Sequence, residues 1–465
     1  MIETPRNHHL TAALTYAKNN QAAFLEHLKT FTAIASVSTD PAARPAMQQA
    51  AEWVADYLKK LGVPCVEIMP TPGHPIVYAE MLTAGTNVPT VLIYGHYDVQ
   101  PAEPLELWIS PAFEGTVRGE HIYGRGVTDM KGQIMSTFHA VEAILSAGEL
   151  PVNIKFIIEG EEEIGSPSLP GFLKEHAQLL ACDLALNPDT GTLAPDLPTI
   201  TYALRGMAYF EIRLHGPDHD LHSGVFGGAV HNPGQAICEL IAGMHDAQGR
   251  VTLPGYYDRV ISLTEEEREE LSRIPLDDSH FLAETGAPAL WGEAGFTPTE
   301  RIGARPTLEV NGLLSGFTGE GSKTVLPAWA MAKISMRLVP DQDPEEVHQQ
   351  LLAYLQANVP PTIRWEVKKM SGGPASLSRR DSAGVKALAK AMESVWGKRP
   401  LFKREGGSVP VVNYFREYLG VDSVNTGFAM PGDNMHSPNE KMHLPTWYNA
   451  IDTYVHFLYN LVEAS

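Results

Sequence analysis

The chain has 465 residues, more than one hydrophobic core usually organises, so its length favours two domains. Apolar residues make up 44% and charged residues 19%, as in ordinary folded proteins, and the formal net charge is −20. This charge argues against nucleic acid and anionic membranes as partners, and no apolar run approaches the roughly 18 residues of a membrane span. The acid excess is either a solubilising surface or, in part, a cluster of carboxylates that holds cations.

The cysteines and the N-terminus bear on the cellular compartment. Cys65, Cys182 and Cys238 are far apart, odd in number and outside any CxxC pattern. This pattern argues against a disulfide framework or a thiolate metal site and suits a reducing cytosol. The N-terminal stretch lacks a basic segment followed by a long apolar core, so no signal peptide is predicted. We therefore expect a cytoplasmic protein.

The first part of the chain alternates helices and strands. Apolar residues recur at helical spacing in "AMQQAAEWVADYLKKLG" and "KGQIMSTFHAVEAILSAG". Short apolar runs, "TVLIYGHYDV", "VNIKFII" and "CDLALNPDTG", read as strands between the helices. This order predicts an α/β fold, a mostly parallel sheet flanked by helices. In such sheets the functional groups collect beyond the carboxyl ends of the strands.

The pattern changes near Arg205 and resumes towards the C-terminus. In between, strands and helices follow the order β-α-β-β-α-β, which is that of a ferredoxin-like unit. An irregular stretch over residues 252–305, with one short helix at "TEEEREELSRI", interrupts this unit. The sequence therefore predicts a discontinuous main domain of residues 1–205 and 377–465. A smaller α+β domain, residues 206–376, is inserted into it.

Polar residues follow the predicted strands of the main domain. Each has an ordinary explanation by itself, such as a helix cap, a turn residue or a solvated surface group. They are expected on one rim of the sheet, where two imidazoles and several carboxylates would suit zinc, or manganese if oxygen ligands dominate. The residues are His96, Asp98, Asp129, Glu159, Glu161, Glu162, Glu163, Asp189 and His436.

This donor set predicts a hydrolytic reaction. Two metal ions about 3.5–4 Å apart can share one carboxylate and one water. The pKa of the bound water falls towards neutrality, which makes hydroxide available. A glutamate that is free of metal can take the proton and return it to a leaving amine. Hydrolysis of an amide or of a phosphoester would follow.

Seven motifs, in order along nearly the whole chain, carry a family resemblance. They are "YGHYDVQPAE", "GRGVTDMKG", "EGEEEIGS", "HSGVFGG", "SKTVLP", "REGGSVP" and "MHSPNE". The sequence resembles the dinuclear zinc peptidases typified by carnosinase, Cys-Gly dipeptidase, carboxypeptidase G and the aminoacylases. It is most similar to the carnosinase and Cys-Gly dipeptidase branch, which has the same long loop before "SKTVLP". The resemblance implies a zinc-peptidase catalytic domain with an inserted lid and dimerisation domain.

The resemblance implies a set of metal ligands. His96 and Asp189 would bind one divalent ion, and Glu163 and His436 would bind a second. Asp129 would bridge both ions. Zn²⁺ is the favoured metal, with Mn²⁺ or Co²⁺ as alternatives.

The resemblance also implies roles around the metals. Glu162 would be the general base, and Asp98 would orient a metal-binding imidazole. Glu159 and Glu161 match no functional position and are expected in a solvated turn or outer shell. The peptide bond between Asp129 and Met130 would be cis.

Substrate-binding residues are implied in and near the inserted domain. His222 would stabilise the oxyanion and, with Thr324, would act across a two-fold dimer. Arg337 would bind the terminal carboxylate of the substrate, together with Gly407 and Ser408 of the "EGGS" loop. Without the resemblance, these residues would be interpreted as turn residues and an exposed strand arginine.

The leading hypothesis is a cytoplasmic, homodimeric dipeptidase. It would hydrolyse dipeptides or short peptides with a free C-terminal carboxylate, through a metal-bridging hydroxide and a glutamate base. An N-acyl-amino-acid deacylase with the same dinuclear site is the alternative. A non-catalytic metal-dependent binding protein is a third hypothesis. A phosphoesterase is chemically possible, but the whole-chain match disfavours it.

Overall fold

A computed structural model describes residues 5–407 and 409–464 and divides the chain into two compact units. Unit 1 comprises the described residues of Met1–Tyr202, Ser378–Phe402 and Val409–Ser465. Unit 2 comprises those of Ala203–Leu377 and Lys403–Ser408. The short segment 403–407, which the sequence assigned to the main domain, thus clusters with the inserted residues.

Helices cover much of the chain. In chain order the α-helices are α1 (Pro5–Asn19), α2 (Gln21–Thr32), α3 (Arg44–Lys60), α4 (Lys131–Ala147), α5 (Leu169–Glu175), α6 (Ser223–Phe226), α7 (Pro233–Ala242), α8 (Glu265–Ser272), α9 (Asp278–Thr285), α10 (Pro298–Ala304), α11 (Pro344–Asn358), α12 (Ala383–Trp396), α13 (Pro410–Tyr414) and α14 (Leu444–Ala464). No helix of the described part of the chain combines the length and apolar character that crossing a membrane requires.

The strands alternate with these helices. In chain order they are β1 (Cys65–Met69), β2 (Ile76–Met81), β3 (Thr90–His96), β4 (Thr116–Arg118), β5 (His121–Tyr123), β6 (Asn153–Glu159), β7 (Leu184–Asn187), β8 (Thr199–Leu204), β9 (Gly206–His215), β10 (Leu221–His222), β11 (Thr307–Ser315), β12 (Val325–Leu326), β13 (Trp329–Leu338), β14 (Arg364–Gly373), β15 (Ser376–Leu377), β16 (Leu401–Glu405), β17 (Ser423–Thr426) and β18 (Lys441–His443).

Unit 1 is built on a sheet with the strand order β1-β2-β6-β3-β7-β17-β8. Strand β3 pairs in parallel with β6 and β7, and β7 pairs in parallel with β17. The outer strands β1, β2 and β8 run antiparallel to their neighbours. Strand β6 is buried along its whole length, as expected where helices cover both faces of a parallel sheet. The predicted fold class, a mainly parallel sheet flanked by helices, is confirmed.

Helix α4 lies deep in unit 1. Nearly every side chain from Lys131 to Ile144 is buried, which explains why its sequence is apolar on more than one side. Trp447 of α14, fully buried, donates from Nε1 to the carbonyl oxygen of Gly132 at 2.7 Å. This packing fixes the N-terminus of α4, which begins two residues after Asp129.

Unit 2 contains a four-stranded antiparallel sheet in the order β11-β13-β9-β14. This is the strand order of the ferredoxin-like unit that the β-α-β-β-α-β pattern predicted. Its alternating strands bury one face in a core with α7 and α11, which includes Phe210, Ile237, Ile334 and Leu351. The stretch 252–305 holds three helices, α8, α9 and α10, where the sequence indicated only one.

Candidate metal centre

The histidine at the end of β3 is fully buried. His96 directs Nε2 at Asp129 Oδ1, 3.2 Å away, and lies 4.0 Å from Asp189 Oδ2. On the other side of the ring, Nδ1 lies 3.0 Å from the carbonyl oxygen of Asp98 and 3.4 Å from its carboxylate. Because Nδ1 is engaged by Asp98, Nε2 is the nitrogen that points at the two other carboxylates.

Asp129 lies between both histidines. Its Oδ2 is 2.8 Å from His436 Nε2, while its Oδ1 faces His96. The peptide bond between Asp129 and Met130 is cis, as the resemblance implied, and the Met130 side chain is fully buried. The backbone N–H of Asp129 donates to Glu440 Oε1 at 3.1 Å, which helps to fix the carboxylate in place.

The two adjacent glutamates follow β6 in a short 3₁₀ turn, Glu162–Ile164. Asp98, also fully buried, accepts the backbone N–H of Glu162 at 3.3 Å and that of Glu163 at 3.1 Å. Asp98 therefore positions the glutamate turn as well as the His96 ring. This double contact explains why a buried carboxylate stands two residues after the end of β3.

The carboxylate of Glu163 is held from one side only. Its Oε2 accepts from Gln100 Nε2 at 2.7 Å and lies 3.4 Å from His436 Nε2. Its Oε1 is buried and has no hydrogen-bond partner among the described residues. A buried oxygen without a partner costs about 1–3 kcal/mol, so this atom is suited to a ligand.

Asp189 and His436 complete the site from loops. Asp189 follows β7, and its backbone N–H donates to Asn187 Oδ1 at 3.2 Å. His436 follows β17 and has a backbone φ of +58°, a left-handed conformation that costs a non-glycine residue about 1–2 kcal/mol. The loop holds this conformation while the imidazole faces Asp129 and Glu163.

These side chains form two overlapping donor groups. His96, Asp129 and Asp189 make one, and Asp129, Glu163 and His436 make the other. Within each group the ligand atoms lie within 4.8 Å of one another. Each group combines one imidazole with two carboxylates, a set that suits divalent ions such as Zn²⁺ or Mn²⁺. The orphaned oxygen of Glu163 and the shared Asp129 fit a dinuclear centre.

The pKa shifts of the clustered side chains also fit a cation site. Burial, followed by the charge of Asp129, raises the pKa of Glu163 to about 8. Burial and Asp129 likewise raise the pKa of Asp189 to about 8, although His96 opposes the shift. The hydrogen bond to Asp129 raises the pKa of His436 to about 9. The cluster therefore favours added positive charge, which either protons or divalent cations can supply.

Glu162 differs from its neighbour. Its backbone N–H is bound by Asp98, but its carboxylate accepts no hydrogen bond from the described residues. Burial raises the pKa of this carboxylate, and Asp129 adds to the effect while His96 opposes it. The side chain is therefore a base of raised pKa beside, but outside, both donor groups.

Glu159 and Glu161 were expected in a solvated turn or an outer shell, and the solvated turn is wrong. Both are buried. Glu159 accepts from Tyr94 Oη at 2.8 Å and from Ser166 Oγ at 2.9 Å. Glu161 accepts the backbone N–H groups of His74 and Ser168, each at 3.1 Å. Hydrogen bonds from both nearby and distant parts of the chain, which the charge pattern does not reveal, compensate for their burial.

Two further residues support the centre and were not singled out from the sequence. Gln100 holds Glu163, and Glu440 ties down the backbone before Asp129. Both stand inside quoted motifs, "YGHYDVQPAE" and "MHSPNE", and that position was the available signal. Glu440 is itself neutralised by the buried Arg125, whose Nη1 lies 2.6 Å from Oε2.

Unit 2 contains the other predicted residues. His222 is exposed, and its Nδ1 accepts the backbone N–H of Gly224 at 3.0 Å. Thr324 is also exposed and lies next to it, because its carbonyl oxygen accepts the N–H of Ser223 at 3.0 Å. The pairing of β10 with β12 brings these two residues together.

Arg337 and the glycine loop also belong to unit 2. Arg337 is half-buried on β13, and Gly407 is exposed. Ser408 lies outside the described residues. Arg205, which the sequence did not single out, donates from Nε to the carbonyl oxygen of Gly406 at 3.1 Å. Burial and the neighbouring charge of Arg337 lower the pKa of Arg205 to about 10, so the two guanidinium groups lie near each other.

Known proteins resemble the chain over almost all of its length. Residues 92–460 match Peptidase family M20/M25/M40. The Cys-Gly metallodipeptidase DUG1 of Candida albicans is 32% identical over 458 residues, which cover 93% of this chain and 94% of that protein.

Solved structures are similar as well. The M20 family metallo-carboxypeptidase Sso-CP2 from Sulfolobus solfataricus is 32% identical, with a TM-score of 0.83 over 95% of this chain and 99% of that one. Human carnosine dipeptidase 1 is 29% identical, with a TM-score of 0.79 over 98% and 99% of the two chains.

Proposed function

The chain belongs to Peptidase family M20/M25/M40, and we propose that it hydrolyses dipeptides or short peptides with a free C-terminal carboxylate. Membership confirms the resemblance carried by the motifs and the predicted enzyme class, a metallopeptidase. The names of similar proteins, a Cys-Gly metallodipeptidase and a carnosine dipeptidase, support a dipeptide as substrate.

One observation carries this proposal. Two donor groups share Asp129, and an additional carboxylate, Glu162, lies beside them without a hydrogen bond from the described residues. Two-metal hydrolysis needs this combination of a shared ligand and an uncommitted base. A binding protein would need the donor groups but would have no use for the additional carboxylate.

The donor groups would hold two divalent cations. His96 and Asp189 would bind one, Glu163 and His436 would bind the other, and Asp129 would bridge them. We propose Zn²⁺ as the metal, with Mn²⁺ and Co²⁺ as alternatives. When bound, these ions would lower the pKa of water and polarise the scissile carbonyl group.

Glu162 would move the proton. Burial raises its pKa, which suits a group that accepts a proton from the attacking water and then donates it to the leaving amine. Asp98 would keep this base in place, because it binds the backbone N–H of Glu162 and also contacts the His96 ring.

Unit 2 would bind the substrate carboxylate. Arg337 can pair with it bidentately, and the loop at Gly407 and Ser408 would offer backbone N–H groups and a hydroxyl. The nearby Arg205 supports this proposal, since a second guanidinium raises the affinity of the loop for an anion.

A homodimer formed through unit 2 is also proposed, with His222 and Thr324 acting in the site of the other subunit. Their exposure and their proximity support this role. Mixed dimers of Glu162→Gln and His222→Ala chains test it. If His222 acts in trans, one site of each mixed dimer is intact and activity returns. If mixing two inactive chains restores nothing, the roles across the dimer are wrong.

Substrate assays on the metal-free protein test the function itself. Zn²⁺, Mn²⁺ or Co²⁺ is added back, and dipeptides are compared with N-acetyl and N-succinyl amino acids and with N-terminally blocked peptides. We expect the highest kcat/KM for dipeptides. Preference for the acyl compounds would instead indicate an N-acyl-amino-acid deacylase. The cytoplasmic location stays a prediction, supported by three free cysteines.

A further inference from the structure

A third group of metal-ligating side chains lies in unit 1, apart from the residues of the candidate metal centre. His27 of α2 and His139 and Glu142 of α4 offer ligand atoms within 4.8 Å of one another, the same spacing that holds in the two groups around Asp129. His139 and Glu142 are three residues apart on a helix, so they share a face. Helix α2 supplies the opposing imidazole.

His139 is the most unusual member of this group. The side chain is fully buried, and neither ring nitrogen has a hydrogen-bond partner among the described residues. Its ring stacks on Phe24, with centroids 3.9 Å apart, and meets Trp447 edge-on at 5.6 Å. If packing were its whole role, a phenylalanine would fill the space without two unpaired polar atoms, each of which costs about 1–3 kcal/mol.

Glu142 is held in the way that metal-binding carboxylates are held. Tyr57 Oη donates to Oε2 at 2.6 Å, and Tyr16 Oη donates to Oε1 at 3.0 Å. Each carboxylate oxygen accepts one bond and keeps a further lone pair. Hydrogen bonds of this kind orient a carboxylate ligand and keep its remaining lone pairs available for a cation.

A cavity borders two of the three members of the group. Its volume is about 720 Å³, and His27 and Glu142 line it together with Tyr16, Trp53 and Tyr57. The exposed residues Asp56 and Lys60 also line it, so the cavity reaches the surface of unit 1. The cavity therefore opens His27 and Glu142 to a hydrated cation and to a fourth ligand, whereas His139 is fully buried and is not among the lining residues.

We propose that His27, His139 and Glu142 form a third, separate metal site that takes a zinc-like divalent cation such as Zn²⁺, Co²⁺ or Ni²⁺. Two imidazoles and one carboxylate, with a fourth position left to water or a small ligand, match the ligand number of open zinc sites. The nitrogen share favours these ions over Mg²⁺ or Ca²⁺. The bound ion would join α2 to α4 and so stabilise unit 1.

Metal stoichiometry tests this site independently of activity. The double substitution His27→Gln and Glu142→Gln removes two ligands, while the glutamine at position 142 can still hydrogen-bond to the tyrosines. The matched control is His8→Gln with Glu149→Gln, two exposed residues of α1 and of the turn after α4. Each variant is also made with Asp129→Ala, which disables the dinuclear centre. Co²⁺ or Zn²⁺ bound per chain is measured by equilibrium dialysis and mass spectrometry.

We expect three metal ions per chain for the unaltered protein and the control, and two for the double variant. Asp129→Ala should bind one ion, and the double variant that also carries Asp129→Ala should bind none. Peptide hydrolysis should be unchanged in the double variant. Co²⁺ should raise the Tm of the Asp129→Ala protein, but not the Tm of the protein that carries all three substitutions. His139→Phe, which keeps the stacked ring, should also lose one equivalent. Equal stoichiometry with and without the substitutions would overturn the site, and would mean that water alone fills the cavity.

Discussion

Glu162 and Glu163 are neighbours in the chain, yet their carboxylates have different surroundings. Glu163 Oε2 accepts a hydrogen bond from Gln100 and lies beside His436, whereas the Glu162 carboxylate accepts none from the described residues. The 3₁₀ turn that both glutamates occupy separates their side chains, and Asp98 fixes the turn through both backbone N–H groups. These different surroundings are the reason why we propose different roles for the two adjacent residues.

Asp129→Ala should empty the dinuclear centre. The two oxygens of Asp129 face different histidines, so its removal takes a ligand from both donor groups at once. We expect two fewer divalent cations per chain and a loss of peptide hydrolysis. Mass spectrometry of the dialysed protein checks this, with Asp196→Ala, an exposed aspartate, as the control. An Asp129→Ala protein that kept its full metal content would show that this residue is not the bridge.

Glu440→Gln should destabilise unit 1. Glu440 and Arg125 form a fully buried ion pair, and Glu440 also accepts three backbone N–H groups that lead up to Asp129. Breaking a buried pair leaves an uncompensated charge, so we expect a loss of about 3–5 kcal/mol in the free energy of unfolding. Denaturant unfolding of the metal-free protein measures it.

The exposed pair of Glu463 with Lys390 provides the comparison. Glu463→Gln should change the same free energy by less than about 1 kcal/mol. Similar losses in the two variants would mean that burial of the Glu440 pair has no energetic consequence.

Asp452→Asn should stabilise the protein at neutral pH only. Burial raises the pKa of Asp452 to about 6, although Lys18 opposes the shift. The folded state binds the proton of the Asp452 carboxyl more tightly than the unfolded chain does. The stabilisation that this proton provides is therefore complete below about pH 4 and is lost as the pH rises to about 6. Asparagine carries no charge, so we expect a gain of about 1–3 kcal/mol at pH 7.5.

Urea unfolding of the Asp452→Asn variant and the unaltered protein at pH 4.5 and 7.5 measures this gain. Asp196→Asn, at an exposed position, should show no difference between the two pH values. An Asp452→Asn effect of equal size at both pH values would contradict the raised pKa.

Arg337→Ala should weaken substrate binding more than turnover. If Arg337 binds the terminal carboxylate in both the ground state and the transition state, its loss raises KM and leaves kcat closer to its original value. A charge-assisted bidentate pair is worth about 1.5–3 kcal/mol, so KM should rise by about 10–100-fold. Steady-state kinetics with one dipeptide measure both constants.

Arg364→Ala, an exposed arginine of the same sheet, is the matched control and should change neither constant. A dipeptide amide, which lacks the carboxylate, should be a poor substrate for the unaltered protein. Because it has no carboxylate for Arg337 to bind, Arg337→Ala should lower its kcat/KM little further. If Arg337→Ala lowered kcat/KM equally for the peptide and its amide, Arg337 would not be the residue that binds the terminal carboxylate.

The strand ends of unit 1 could be predicted from the sequence because parallel strands place their carboxyl ends on one edge. His96 ends β3 and Asp98 follows it, while Glu163 and Asp189 follow β6 and β7, the two strands that flank β3 in the sheet. Asp129 and His436 come from loops, and they were expected on the same rim. The pairing of β17 with β7 brings the loop of His436 to the same edge.

Features that depend on three-dimensional burial were not predicted. Glu161 looks like a solvated charge in sequence, but two backbone N–H groups from separate loops bind it in the interior. His139 lies within a predicted helix, and only the packing of α2 against α4 brings it near His27. Helix α10 was missed although Thr297 and Glu300 form a capping box, a local signal that an irregular loop obscured.

The kinetics and metal content of Glu162→Gln test the central claim most directly. If Glu162 is the base and no metal ligand, the variant keeps the metal content of the unaltered protein and kcat falls about 10²–10⁴-fold. Glu175→Gln, an exposed glutamate of α5, should leave both unchanged. A Glu162→Gln protein with full metal content and near-normal kcat would contradict the assignment of Glu162 as the proton carrier.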